Sequence, residues 1–395
     1  MICIKIQHFN LNRILLLAIG LWPYQKSKFR LLQTTLCFSI LTSFIIFQFT
    51  AFITTKCTID FIIKTFCTVV FYVFCTINYS MFWINTHNVR NLLEQLQYII
   101  NELKDENELA IIKMCGNNTK LCTSISILFA ICILFAGILI LIWPEILHTV
   151  RHINESRIQN LAIHVTTEYF IDEEKYFYLN LLHINAVFCI MAITLTATGT
   201  MLLGYAIHAC GLFKIASYRM KQVTSTEMLQ NINLNNRTII YNKILYAVEI
   251  HRKAMKFINL ILTSFQGSFL LILAIIVITL SLNIFAMYRN ALHGNKDTAL
   301  LYIISISIIT IYSFIINYVG ELLLNHSNYV YSTIYNSRWY VAPLHVQKMI
   351  LFILQRGNQS SHLNIAGLFV PSLENFAKIT KASMSYFTVL YSTQQ

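Results

Sequence analysis

The chain has 395 residues, of which 56% are hydrophobic and only 12% charged, roughly half the charged share of an ordinary soluble domain. A soluble fold of this size cannot hide that much apolar surface, whereas a bilayer can. The formal charge of +12 does not indicate nucleic acid, because most Lys and Arg fall between apolar runs, where membrane topology places them.

Long continuous apolar runs, rather than alternating ones of about 10 residues, select transmembrane helices over a barrel. Backbone groups in lipid must be satisfied inside such elements. The fold class read from the sequence is therefore all-α. The ten cysteines form no CxxC pair. Most lie inside apolar runs, where Cys acts as a small hydrophobe, so neither a disulfide framework nor a zinc site is expected.

In chain order, Arg13 and the run Ile14 to Leu21 look like a short signal-peptide core. Trp22-Pro23 and then Lys26, Lys28 and Arg30 follow, without a small-residue cleavage site, so an interfacial N-terminal helix is the better reading. Seven spans follow, at about 31–54, 59–82, 121–143, 184–210, 263–288, 298–321 and 372–393, each near the ~20 residues a bilayer requires. Asp60, Asp297 and Ser372 stand where N-caps or first-turn acids belong. Trp22, Trp83, Trp143 and Trp339 all fall at span ends or interfacial segments, as aromatic belts do.

Orientation follows from the basic residues. Segments 1–30, 83–120, 211–262 and 322–370 hold twenty Lys and Arg, against six in 55–58, 144–183 and 289–297. That bias places the N-terminus in the cytoplasm and, after seven spans, the C-terminus outside. The outer loop 144–183 carries Asn154-Glu155-Ser156, which makes Asn154 a candidate glycosylation site. The chain thus divides into a cytoplasmic or interfacial N-terminus (1–30) and spans 1 to 4 with the outer loop (31–210). Helical extensions of spans 4 and 5 (211–262), spans 5 and 6 (263–321), a cytoplasmic segment (322–370) with a helix at 344–356, and the last span (371–395) complete it.

Enzyme motifs are absent: the sequence has no GxSxG, P-loop, GxGxxG or HExxH, and no catalytic residue, cofactor or metal is implied. His148 and His152 are spaced i, i+4 but lack a carboxylate partner, and surface histidines explain them. A G-protein-coupled receptor is disfavoured. The Asp/Glu-Arg-Tyr and Asn-Pro-x-x-Tyr motifs are missing, the outer loop has no cysteine, and the charge bias is reversed, so no G protein is expected. A transporter would show inverted repeats and broken helices, and neither is visible. In the last span, Glu374, Lys378, Lys381, Ser385, Thr388 and Ser392 recur at steps of three and four and form one polar stripe, with Val389 on the same face. Such a stripe suits either a water-filled pore with a dewetting constriction or a polar seam between helices of one subunit.

A resemblance favours the pore. Ala382-Ser383-Met384-Ser385-Tyr386-Phe387-Thr388-Val389-Leu390 closely resembles the C-terminal end of insect odorant receptors, particularly hymenopteran members. Gly320-Glu321-Leu322, Trp339-Tyr340 with Pro343, and Lys348 through Gln355-Arg356 are similar to the family's run before the last helix, and Gly20-Leu21-Trp22-Pro23 to a further block. Ala342 departs from the Leu the family usually has there. A gustatory receptor of the same superfamily is the rival, disfavoured by Ser385-Tyr386 and by the lack of a downstream Gln-Phe.

The resemblance implies an inverted seven-helix fold and a ligand-tuning subunit of a heterotetrameric, odorant-gated nonselective cation channel. Its partner would be the odorant co-receptor, in the plasma membrane of olfactory sensory neurons. Ser385, Thr388, Val389 and Ser392 would line the pore and gate. A small hydrophobic volatile or semivolatile ligand would bind among Phe71, Phe74, Gly137, Leu141, Met191, Thr194, Tyr302 and Ser305. The topology is directly testable. An epitope tag placed after Gln395 is expected to stain unpermeabilised cells, and staining only after permeabilisation would reverse the orientation.

Overall fold

The computed structural model describes residues 7–25, 27–55, 57–151, 169, 175–223, 234–294, 296–358 and 369–393. Ten α-helices lie among the described residues: α1 (Asn10–Ala18), α2 (Ser27–Thr54), α3 (Ile59–Ile84), α4 (Thr86–Glu102), α5 (Glu106–Arg151), α6 (Phe177–Val223), α7 (Leu234–Leu292), α8 (Lys296–Tyr335), α9 (Leu344–Asn358) and α10 (Leu373–Ser392). Asn154, His152 and most of the outer loop lie outside the described residues.

Six helices (α2, α3, α5, α6, α7 and α8) are long and apolar enough to cross a membrane. They correspond to the first six spans read from the sequence. The seventh, α10, has 20 residues, enough for one crossing, but its first half carries Glu374, Lys378 and Lys381. Thr58 caps α3 by accepting from the Phe61 backbone N–H at 3.2 Å, with Asp60 in the first turn. Ser372 caps α10 in the same way through Asn375, also at 3.2 Å.

The core is built on α6 and α7, which pack against each other and against α3 and α8. On the outside, α2 and α5 present apolar side chains with nothing over them, such as Phe49 and Ile53, or Leu128 and Phe135. In a bilayer these meet lipid at no cost, because acyl chains are as apolar as the side chains.

Two segments hold more than the sequence reading assigned them. The N-terminal helix α1 is docked against the bundle. Asn12 is fully buried, donating to Thr200 Oγ1 at 2.8 Å and accepting from Thr123 Oγ1 at 3.2 Å. Phe9 stacks on His208, with ring centroids 5.1 Å apart, over Gly204, where a Cβ would collide with the Phe9 ring. Segment 83–120, for which the sequence reading named no helix, holds all of α4 and the first turns of α5. The spacing of Val89, Leu92, Leu93, Leu96 and Ile99, all buried, is an amphipathic helical stripe too short to register as a span.

Several helices overshoot the membrane. At ~1.5 Å per residue the 59 residues of α7 extend to about 88 Å, nearly three times the hydrocarbon thickness. The overshoots of α5, α6 and α7 meet α4 at the end that the charge bias assigns to the cytoplasm, and ion pairs fasten them. Arg219 on α6 grips Glu108 on α5 with two hydrogen bonds, at 2.6 and 2.9 Å, and donates a third to the Tyr246 carbonyl of α7 at 2.9 Å. Lys253 on α7 bridges Glu102 on α4 and Glu249 one turn earlier. Its hydrogen bond holds the Glu102 carboxyl below the usual carboxylate range.

The Glu108 side chain is only 5% exposed, so losing Arg219 would strand a carboxylate in the protein. Arg219→Ala is expected to destabilise the chain by about 3 kcal/mol. By contrast, Arg90→Ala, which breaks the exposed Arg90–Glu94 pair, is expected to shift stability far less, because solvent screens that pair. Thermal midpoints of the purified variants check this, and equal shifts would remove the distinction.

Candidate ligand cavity and polar helix

Within the bundle, α3, α5, α6, α7 and α8 surround a cavity of about 660 Å³, in the size range that buries a small organic molecule. Gln48 of α2 and Phe369, Pro371 and Ile379, at the base of α10, complete the wall. The lining is mostly aliphatic and aromatic, from residues such as Ile133, Phe188, Met191, Leu273 and Ile308. An apolar guest there gains about 25 cal/mol for each Å² it withdraws from water.

Of the eight residues proposed from the sequence, Phe71, Gly137, Met191, Tyr302 and Ser305 border this cavity. A Cβ added at Gly137 would meet nothing within 4 Å, so that glycine leaves open space. Phe74 and Thr194 are not in the wall. Phe74 lies one turn on from Phe71 and turns into the core, its ring edge-on to Tyr312 at 5.2 Å. Thr194 is fully buried, and its hydroxyl bonds the Ile190 carbonyl at 2.7 Å. The Leu141 side chain lies outside the described residues.

Sequence reasoning missed the polar wall residues. Gln48, Lys64, Asn283 and Asn317 border the cavity, and each stands alone in an apolar run. An isolated polar group at mid-span was the available signal. Most of these groups are committed within the protein. Asn283 bonds the Thr279 carbonyl at 2.7 Å, and Asn317 bonds the Ser313 carbonyl at 2.9 Å. Tyr312, also in the wall, donates to Asn78 Oδ1 at 2.6 Å.

The cavity is tied to α10 through α8. Asn317 Oδ1 accepts from the Ser372 backbone N–H and Glu321 from that of Leu373, both at 3.3 Å, so two α8 side chains serve donors at the start of α10 that no intrahelical carbonyl can reach. Between them, Gly320 lets Pro371 approach so closely that any Cβ would overlap its backbone. Higher up, Ser281 of α7 donates to the Ser383 carbonyl at 3.1 Å. Ile379 and Ser383 form the buried side of α10.

The polar stripe lies on the other side. Glu374, Lys378, Lys381, Ser385, Thr388 and Ser392 are all exposed in the single chain, as is Val389. At ~100° per residue the six polar positions share an arc of about 80°, centred roughly opposite Ile379 and Ser383. The stripe is therefore not a seam within this subunit. Glu374 and Lys378 pair at 2.7 Å across one turn. Thr388 and Ser392 bond the carbonyls of Ser385 and Val389 at 2.7 and 2.9 Å. Each hydroxyl keeps acceptor capacity toward whatever faces it. Among the described residues, no group of three His, Cys, Asp or Glu is placed to hold a metal ion.

No curated protein sequence matches the chain. Its fold is similar to that of the insect olfactory receptor OR5 from Machilis hrabei. In complex with eugenol, that receptor superposes with a TM-score of 0.73 at 14% identity, covering 98% of this chain and 97% of the other. A second structure of the same receptor gives 0.70 at 15% identity, covering 96% of each chain. The family model described as 7tm Odorant receptor matches residues 58–384, from the first turn of α3 to the middle of α10, and the chain therefore belongs to the 7tm odorant receptor family.

Proposed function

We propose that the chain is the ligand-tuning subunit of an odorant-gated cation channel in the plasma membrane of olfactory neurons, assembled with the odorant co-receptor as a heterotetramer. The observation that carries this reading is the exposed polar stripe of α10, turned away from its own bundle and anchored at its base by the helix that walls the cavity. A polar face this long is costly against lipid but suits a water column shared with other subunits. Val389, exposed at the edge of this face near its outer end, supplies a constriction that closes by dewetting.

The gating step follows from the same contacts. A small hydrophobic odorant fills the cavity against Phe71, Met191, Tyr302 and Ser305, and thereby bears on α8. Because α8 holds the first turn of α10 through Asn317, Glu321 and Gly320, a shift of α8 is passed to the pore helix. The odorant opens the channel by the margin with which it prefers the open arrangement. Lys378 and Lys381 lie toward the inner end of the stripe; pairing with Glu374 offsets the charge of Lys378, and Lys381 can extend toward the inner surface.

Currents recorded from cells expressing the chain, with and without a co-receptor, test the proposal against an odorant panel. Odorant current is expected only with the partner, and robust current from this subunit alone would end the claim of obligate partnership. In the co-expressed channel, thiol reagents applied from outside to Val389→Cys are expected to react faster with odorant present and to change the current. Equal, silent modification in both states would place Val389 away from the pore.

The cavity is tested separately. Phe71→Ala and Tyr302→Ala are each expected to shift odorant potency about tenfold or more while assembly persists, since removing a buried aromatic costs several kcal/mol in a rigid core and less in an adaptable pocket. Unchanged relative potencies in both variants would move the binding site elsewhere.

A further inference from the structure

One cavity wall residue differs from the rest. Gln48 of α2 is fully buried, and neither its Oε1 nor its Nε2 has a hydrogen-bond partner. Polar groups nearby on α2 and α6 are committed to each other. Ser43 bonds His183 Nε2 at 3.2 Å, and the Tyr169 hydroxyl bonds His183 Nδ1 at 2.9 Å. Asparagines in the bundle settle their amides on the carbonyl one turn back, as Asn78 does on Phe74 at 2.9 Å, but Gln48 makes no such bond. The Ser313 hydroxyl, also in the wall and unpartnered, has that exit through a single rotation onto its own helix. Gln48 carries an unmet donor and an unmet acceptor at once.

Each unmet buried group leaves its desolvation uncompensated, and a site built around such groups discriminates strongly for the ligand that satisfies them. Building on the ligand-sensing reading above, we infer that Gln48 selects odorants whose head group both donates and accepts a hydrogen bond, meaning a hydroxyl on an apolar body. The Nε2–H donates to the ligand oxygen, and Oε1 accepts the ligand's O–H. The amide turns out of the wall to do so, and the cost it already bears there favours the turn. An ether or ester of the same shape satisfies Nε2 alone. Lys64, which also borders the cavity, has only protons to give and therefore does not separate an alcohol from an ether. Discrimination against aprotic ligands thus falls to Oε1 of Gln48.

The test uses the full-length chain purified in detergent, with ligand-induced thermal stabilisation as the readout. The probes are 1-nonanol, methyl octyl ether and decane, matched closely in size. The wild type is expected to need about tenfold less 1-nonanol than methyl octyl ether for equal stabilisation, with decane weakest. In Gln48→Met and Gln48→Leu the alcohol-to-ether ratio is expected to fall to about one, with the ether at least as effective as in the wild type.

A wild type that fails to discriminate, or is stabilised by none of the probes, overturns the inference, as does a variant that keeps the wild-type ratio. Loss of folding in both variants also counts against it, because replacing an unpartnered amide by an apolar side chain of similar size is expected to be neutral or stabilising. Recording currents from the co-expressed channel with the same probes separates the two proposals. Discrimination in stabilisation without current would remove the channel reading and leave this one. Current without discrimination would do the reverse.

Discussion

In hydrocarbon there is no water to satisfy a backbone N–H or C=O, so every peptide group in the bilayer must find its partner within the chain. Seven helices follow from that requirement, and so do the means by which they pack. Because lipid is as apolar as a leucine side chain, burial alone does not drive the helices together. Close approach and polar bonds do. Gly204 admits the Phe9 ring, Gly320 admits the Pro371 backbone, and Asn12 ties α1 to Thr200 on α6 and Thr123 on α5. These contacts lie where separate helices must keep a fixed relation, and a larger or an apolar residue at any of them would loosen it.

The same economy shapes the proposed route from cavity to α10. No loop need carry the signal, because α8 walls the cavity along its outer turns and meets the first turn of α10 farther down. A helix transmits displacement along its axis with little loss, since its internal bonds are shielded from competition by water. The inner ends of α5, α6 and α7 are clamped by Arg219, Glu108 and Lys253. In the proposed gating, that clamp leaves the outer bundle and α10 to carry the ligand-driven motion. A coupling of this kind needs a two-state element, and the lightly anchored α10, held along one side and polar along the other, has the form of one.

Polar side chains in the bundle fall into two groups. Most threonines, serines and asparagines bond a carbonyl of the preceding turn, as Thr194, Asn283 and Thr388 do, and they cost little wherever they face. A few retain unmet capacity, Gln48 most completely. In an apolar cavity the first group sets shape and the second sets chemistry, because only an unmet group distinguishes ligands of equal size.

The all-helical class, the positions of the spans, the first-turn acid Asp60, the cap at Ser372 and the polar stripe of α10 were legible from the sequence, because each depends on local spacing. Apolar runs as long as a bilayer is thick, and polar residues at steps of three and four, need no knowledge of a neighbour. The amphipathic helix at Thr86–Glu102 was legible in principle through its buried stripe, but its length and polarity hid it among loop residues. Tertiary structure alone decided the rest. It docked α1 in the core, turned Phe74 toward Tyr312 and Phe71 toward the cavity, and left the α10 stripe facing away from its own subunit. It also left Gln48 without a partner, since satisfaction depends on what other helices bring within about 3 Å. Periodicity tells which residues share a face, but which face meets which neighbour is set by how all the helices fill space together.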